Sequence, residues 1–189
     1  MVSHLRVALI AIMAILLSGA AEASPPGSIT FSAGNLVATA EGSFRGWRFT
    51  KVDGDREHPE IGVVEVEVDI ASIDTGNERR DEHLRNDDFF DVERFPTAQI
   101  KLYGASSQGE NDAGHPRYAV TLDVRIRDVE KTLSAVFDLV SAVPPTVEGT
   151  LVLNRVDFGV GGPYRRWNPL SVREDVQVRF RAVLPDVEQ

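Results

Sequence analysis

Charge concentrates between Ile73 and Pro96, where Asp74, Glu78, Asp81, Glu82, Asp87, Asp88, Asp91 and Glu93 are interspersed with Arg79, Arg80, Arg85 and Arg94. Carboxylates at this density raise two chemistries, a cation site and an acid–base pair. A calcium loop needs acidic or amide ligands at alternate positions, a central glycine and a closing glutamate. Asp74-Thr75-Gly76-Asn77 does not supply that register, so the expected uses are helix capping and pairing with arginine. His58, His83 and His115 are far apart and lack the close spacing of zinc ligands. No metal site is expected. The chain also has no cysteine, no Gly-x-Ser-x-Gly turn and no glycine-rich phosphate loop. It does not read as an enzyme.

Two further clusters can carry binding. The charged stretch holds Phe89, Phe90 and Phe95, rings that a solvated loop has no use for. They are expected to fold back on a core, as an end plug or an entrance. The second cluster is Tyr164-Arg165-Arg166-Trp167-Asn168-Pro169. Guanidinium suits phosphate, so Arg165 and Arg166 are candidate contacts for an anionic head group if their loop borders a site. The competing reading is a solvated loop with a packed tryptophan.

The elements that position these clusters are almost all strands. Val64, Val66, Val68 and Ile70 alternate with Glu65, Glu67 and Asp69; Tyr118 to Ile126, Leu133 to Leu139 and Val176 to Leu184 repeat the pattern. Period two with one apolar face denotes antiparallel sheet with one dry side. Clusters such as Val52-Asp53-Gly54-Asp55, Ser106-Ser107-Gln108-Gly109 and Val143-Pro144-Pro145 separate about eight strands. A single sheet cannot bury that face on nothing, so it closes into a barrel or splits into a sandwich. Strand-interior glycines (Gly42, Gly46, Gly62, Gly149) suit the bends of either. Helix is permitted only within Asn77–Asp91, capped by Asp74 or Thr75, as one or two turns across an end of the sheet.

The N-terminus reads as a leader. Arg6 precedes the apolar run Val7–Leu17, and Ala21-Glu22-Ala23 forms a small-residue cleavage site. The run is roughly half the ~20 residues needed to cross a bilayer. Residues 1–23 are therefore expected to be cleaved, leaving one domain over 24–189 that is exported to the periplasm or secreted. Without a cysteine there is neither a lipid attachment point nor a disulfide, so stability must come from a core. The net charge of −9, with no Lys/Arg cluster, argues against nucleic acid and against anionic membrane surfaces, and no stable membrane anchor is expected.

These motifs resemble the YceI-like family of lipocalin-like periplasmic proteins. The resemblance rests on Ser72-Ile73-Asp74-Thr75-Gly76-Asn77, Arg80-Asp81-Glu82-His83-Leu84, Asp88-Phe89-Phe90-Asp91 and Phe95-Pro96, with Asn154-Arg155-Val156-Asp157-Phe158-Gly159-Val160-Gly161 as a late motif. Leu122-Asp123-Val124-Arg125 and Asp128-Val129-Glu130-Lys131 match a family hairpin more loosely, without its glycine. The start departs from the pattern. Ser28-Ile29-Thr30-Phe31 replaces the family's Asp-x-x-His-Ser element, which leads us to expect a shortened or rebuilt first strand.

The resemblance implies an all-β, eight-stranded antiparallel barrel with a short helical segment capping one end. It also implies a hydrophobic tunnel for an isoprenoid tail, as in a quinone or a polyprenyl lipid, with no cofactor required. The candidate lining is Phe44, Trp47, Val66, Val68, Ile70, Ile100, Leu102, Val120, Leu122, Val124, Phe137, Leu151, Leu153, Phe158, Val178 and Phe180. A homodimer is compatible with this reading. The rival is an envelope stress or interaction protein whose barrel is solidly packed.

Overall fold

The computed structural model describes residues 25–54 and 62–185; the expected leader, Ser24 and His58 lie outside them. Period-two alternation dictates the architecture. The strands are β1 (Gly27–Gly34), β2 (Thr39–Phe44), β3 (Trp47–Asp53), β4 (Val63–Asp69), β5 (Ile73–Asp74), β6 (Thr97–Glu110), β7 (Pro116–Ile126), β8 (Val129–Ala142), β9 (Pro145–Asn154) and β10 (Asp175–Val183). They pair antiparallel in the order β3-β4-β6-β7-β8-β9-β10-β1-β2-β5.

Only Arg45 and Gly46 separate β2 from β3, yet these two strands stand at opposite flanks of the sheet. The sheet must therefore curl until its flanks meet. β2 and β3 act as one bent strand, the first half on β1 and the second on β4. Gly46 sits at the bend. Its N–H donates to Ser72 Oγ at 2.8 Å, its carbonyl accepts from Asp69 N at 2.8 Å, and a Cβ would lie 3.1 Å from that of Asp69. Among the described residues, ten strands thus do the work of the expected eight, because β2–β3 is one bent strand and β5 is a two-residue pairing on β2.

Four expectations need correction. β1 is not shortened, since it pairs with β10 and β2 along its length. Ser106-Ser107-Gln108-Gly109 is not a turn but part of β6, where register shifts flank it. Gly104 and Gly109, at φ 64° and 83°, take up the bulges that let pairing with β7 continue. Helix α1 (Glu78–Arg85) is capped by Asn77, whose side chain accepts from Arg80 N at 3.0 Å. Asp74 is occupied one turn earlier with Gly76 N, and Thr75 with Asp81. Finally, Gly42 and Gly149 are platforms more than bends. A methyl group at either would overlap the cross-strand ring of Phe31 or Phe180, so glycine lets each aromatic lie flat on the wall.

On the outer face, β7 and β8 are tied by a bidentate pair. Arg117 Nε and Nη2 donate to Asp138 at 2.8 and 3.0 Å, and Asn111 Nδ2 donates at 2.8 Å. Arg117, then Asn111, hold the Asp138 carboxyl at about 2. A carboxyl depressed on folding stabilises the fold above its unfolded value of about 3.9, and that contribution is lost as pH falls towards 2. Carboxyl NMR should give an Asp138 midpoint near 2 that rises towards ordinary values in Arg117→Ala. An unmoved midpoint would contradict the pairing.

Candidate functional site

Apolar positions that alternate along antiparallel strands converge on the inside when the sheet curls. Two buried groups form parts of the wall and share Phe90, Ile100, Ile126 and Phe137 as packed neighbours. Trp47, Val68, Ile70, Ala98, Val147 and Ala182 make one, and Val120, Leu122, Val124, Ala135, Phe158 and Val160 the other. Between them many inward side chains remain half-exposed, among them Phe44, Val66, Ile100, Leu102, Leu151, Leu153 and Val178. Inward-facing yet incompletely covered residues mean the interior is hollow, unlike a close-packed core whose voids rarely exceed a water.

The hollow is a cavity of about 1050 Å³, at the top of the roughly 300–1,000 Å³ usual for small-molecule sites. Its lining runs from Asp53, Gly54 and Gly62 at one end of the barrel to Pro163, Arg165 and Leu170 at the other. The wall brings together every lining residue named from sequence, from Phe44 to Phe180, as well as Phe89, Phe90 and Arg165. It does not include Phe95 or Arg166. Alternation alone missed Ile29, Phe31, Phe49 and Ile73, which lie in the irregular N-terminal strands or in the two-residue β5. Their signal was composition, since aromatic and branched residues recur between Ile29 and Phe49.

The charged segment is a clasp across one end. Gly76, at φ 69°, turns the chain into α1. Arg80 Nε donates to Thr75 Oγ1 at 2.7 Å and its Nη2 to Thr75 O at 2.8 Å, while buried Asp81 accepts from Thr75 N at 3.0 Å. Arg85 reaches the carbonyls of Ala71 and Ile73 at 2.9 and 3.0 Å. Four of the acidic residues are thus held: Asp74 by Arg45 and Gly76 N, Asp81 by Thr75, Asp88 by His83, and Asp91 by Arg94 and Arg127. Phe90 meets Phe44 edge-on at 6.2 Å, and Phe89 meets His83 at 4.9 Å. Phe95, expected beside them, lies outside the cavity. The guanidinium groups of Arg94 and Arg127 sit 5.0 and 5.6 Å from its ring. Arg127 also donates to the carbonyls of Phe89 and Gly159 at 2.7 and 2.6 Å, locking the segment to the loop after β9.

That loop is organised by Arg155, a residue that sequence reasoning did not single out. Asn154 caps a short turn over Arg155–Phe158, closed by Gly159 at φ 68°. Arg155 is 8% exposed, and its guanidinium donates to four carbonyls: Val160 at 2.7 Å, Gly162 and Val172 at 2.8 Å, and Arg173 at 3.0 Å. Burial pushes it below the usual arginine range, and Glu174 opposes that shift. Elsewhere on the wall, Trp47 stacks edge-to-face on Phe49 at 5.5 Å. Its buried Nε1 lacks a hydrogen-bond partner among the described residues.

Known proteins are similar to this chain in sequence or in fold. A UPF0312 protein of Pseudomonas savastanoi pv. phaseolicola is 32% identical over 149 residues, covering 75% of this chain and 72% of that protein. A UPF0312 protein of Pseudomonas fluorescens is 30% identical, covering 75% of each. The crystal structure of Burkholderia cenocepacia BcnA superposes with a TM-score of 0.73 at 22% identity, covering 84% of this chain and 96% of that one. A polyisoprenoid binding domain from Saccharophagus degradans, implicated in plant cell wall breakdown, superposes with a TM-score of 0.58 at 12% identity, covering 84% and 94%. The family model described as the YceI-like domain matches residues 24–184, a span that contains every described strand. This chain belongs to the YceI-like domain family.

Proposed function

We propose that the protein binds a lipophilic molecule with an isoprenoid-type tail, such as a quinone or polyprenyl lipid, and sequesters or carries it in the cell envelope without chemistry. The observation that carries this reading is the continuous apolar cavity between the two ends of the barrel. Each buried methylene contributes ~0.8 kcal/mol, so a long tail binds tightly without an ionic partner. Three polar side chains on the wall are already engaged: Arg155 with four carbonyls, and Thr75 and Arg80 with each other. That favours enclosure over catalysis. The name of the Saccharophagus domain supports the ligand class, and the charged, apolar, small-residue leader supports export. A packed barrel acting only through its outer surface would have left its inward residues covered.

Mass spectrometry of an organic extract of the natively purified protein tests the reading. A stoichiometric isoprenoid is expected. Absence of co-purified lipid, together with no uptake of added quinone or polyprenyl lipid, would overturn it. Arg165 sits on the cavity wall with Arg166 beside it in sequence, offering guanidinium to an anionic head group. A hydrogen bond to a charged group adds ~1 kcal/mol over a neutral one. Polyprenyl phosphate should therefore bind about fivefold more tightly than polyprenol, and Arg165→Ala/Arg166→Ala should erase the difference. Equal binding of both by the wild type would remove the head-group role.

A further inference from the structure

The end of the barrel near Arg165 carries a surface that the cavity does not explain. The turn between β1 and β2 exposes Leu36 and Val37 by 58% and 70%, and the loop after β9 exposes Trp167 and Leu170 by 76% and 67%. Large apolar side chains presented together to water mark an interaction site more often than chance. Here the presentation is built. Asn35 Oδ1 accepts from the N–H groups of Val37 and Ala38 at 2.8 Å each, and Asn35 N donates to Ala38 O at 2.9 Å. In the other loop, Asn168 N donates to Arg165 O at 2.8 Å, Ser171 N to Asn168 O at 3.0 Å, and Arg165 N to Ser171 Oγ at 2.8 Å. The loops are clasped together by Arg173 N donating to Gly34 O at 2.8 Å and Asn35 Nδ2 to Leu170 O at 3.5 Å.

Charge identifies the occupant. Residues 159–173 contain Arg165, Arg166 and Arg173 and no carboxylate, and residues 34–38 are uncharged, in a chain of net −9. Glu174, next in line, is turned to Tyr164 N and Asn154. The Arg165 guanidinium lies 5.6 Å from the Trp167 ring. An exposed tryptophan and leucine beside arginine is the chemistry of a water–lipid boundary, where amphipathic rings sit at head-group depth and basic groups meet anionic lipid. The neighbouring segment 73–96 carries more carboxylates than arginines, which confines the contact to the loop side.

We infer that these two loops dock the barrel reversibly on an anionic bilayer, placing the Arg165 end of the cavity against the lipid. The surface stands independently of what the cavity holds, while its use as a loading site rests on the tail-binding reading. The negative total charge, which argues against membranes when averaged over the chain, conceals this local patch.

The protein supplies its own reporter, because Trp47 is buried and Trp167 exposed, and there are two tryptophans in all. Vesicles of phosphatidylcholine alone, and of equimolar phosphatidylcholine and phosphatidylglycerol, are floated with the protein. Binding is expected to the anionic vesicles, with a blue shift and iodide protection of Trp167 emission. Each arginine at the surface contributes about fivefold in partitioning, so binding should fall steeply with salt. Leu36→Asp/Val37→Asp and Trp167→Ala should each weaken flotation at least about tenfold, since a charge at the interface or a lost ring removes apolar insertion. Both variants should take up added quinone from solution as the wild type does, with unchanged circular dichroism. No flotation, or flotation indifferent to these substitutions, would overturn docking and leave tail binding untouched. A wild-type dimer that the same substitutions dissociate would assign the patch to a second copy instead, and overturn it too.

Discussion

Val66→Trp/Leu151→Trp should fold as well as the wild type and lose its ligand. Both side chains line the cavity and remain half-exposed inside the barrel. In a close-packed core such enlargement costs typically ~1–3 kcal/mol per site. In a hollow interior each indole enters free space and buries apolar surface, so the melting temperature should hold or rise. The ligand loses that space. An isoprene unit of about five carbons contributes up to ~4 kcal/mol at ~0.8 kcal/mol per carbon, so excluding one unit should weaken binding more than about 100-fold. Thermal melts and quinone titration read both quantities. A large drop in melting temperature would mean that the interior is packed, and unchanged affinity would place the ligand elsewhere.

Arg155→Met should be the most destabilising single change at the site. Methionine keeps much of the volume but strands the carbonyls of Val160, Gly162, Val172 and Arg173, all of which the guanidinium now satisfies. Breaking a buried charged hub of this kind costs about 3 kcal/mol or more. For a chain of this size that corresponds to roughly 10 °C in melting temperature. Arg155→Lys should recover little, because an ammonium is a point charge without the planar fork that reaches four acceptors. Rescue by lysine would show that charge alone matters. The loss should extend to the loop that carries Arg165 and Trp167, visible as faster amide exchange over residues 159–173.

The walls of this barrel are legible in the sequence because alternation is a local property. Val64 to Ile70 or Tyr118 to Ile126 declare an inner and an outer face before any partner strand is known. Closure is not local. That β2 and β3 are halves of one bent strand depends on Gly46 meeting Asp69 and Ser72, more than twenty residues later in the chain. Phe95 is similar. Its ring looks like plug material beside Phe89 and Phe90, but Arg127 arrives from the β7–β8 turn to hold it outside. Arg155 escaped notice because nothing in Asn154-Arg155-Val156-Asp157 marks an arginine as buried; its acceptors lie up to eighteen residues away. Of the acidic residues of 73–96, conspicuous in sequence, Asp74, Asp81, Asp88 and Asp91 are the joinery of a clasp.

The proposed function requires the interior to enclose an apolar tail of limited length. The most direct test titrates the protein with a homologous series of quinones of increasing tail length and fixed head group. Affinity should climb severalfold or more with each added isoprene unit until the cavity of about 1050 Å³ is filled, then level off. The plateau should move to shorter tails in Val66→Trp/Leu151→Trp. Affinity that is flat across the series, or that rises without limit and ignores the tryptophans, would contradict enclosure in the barrel.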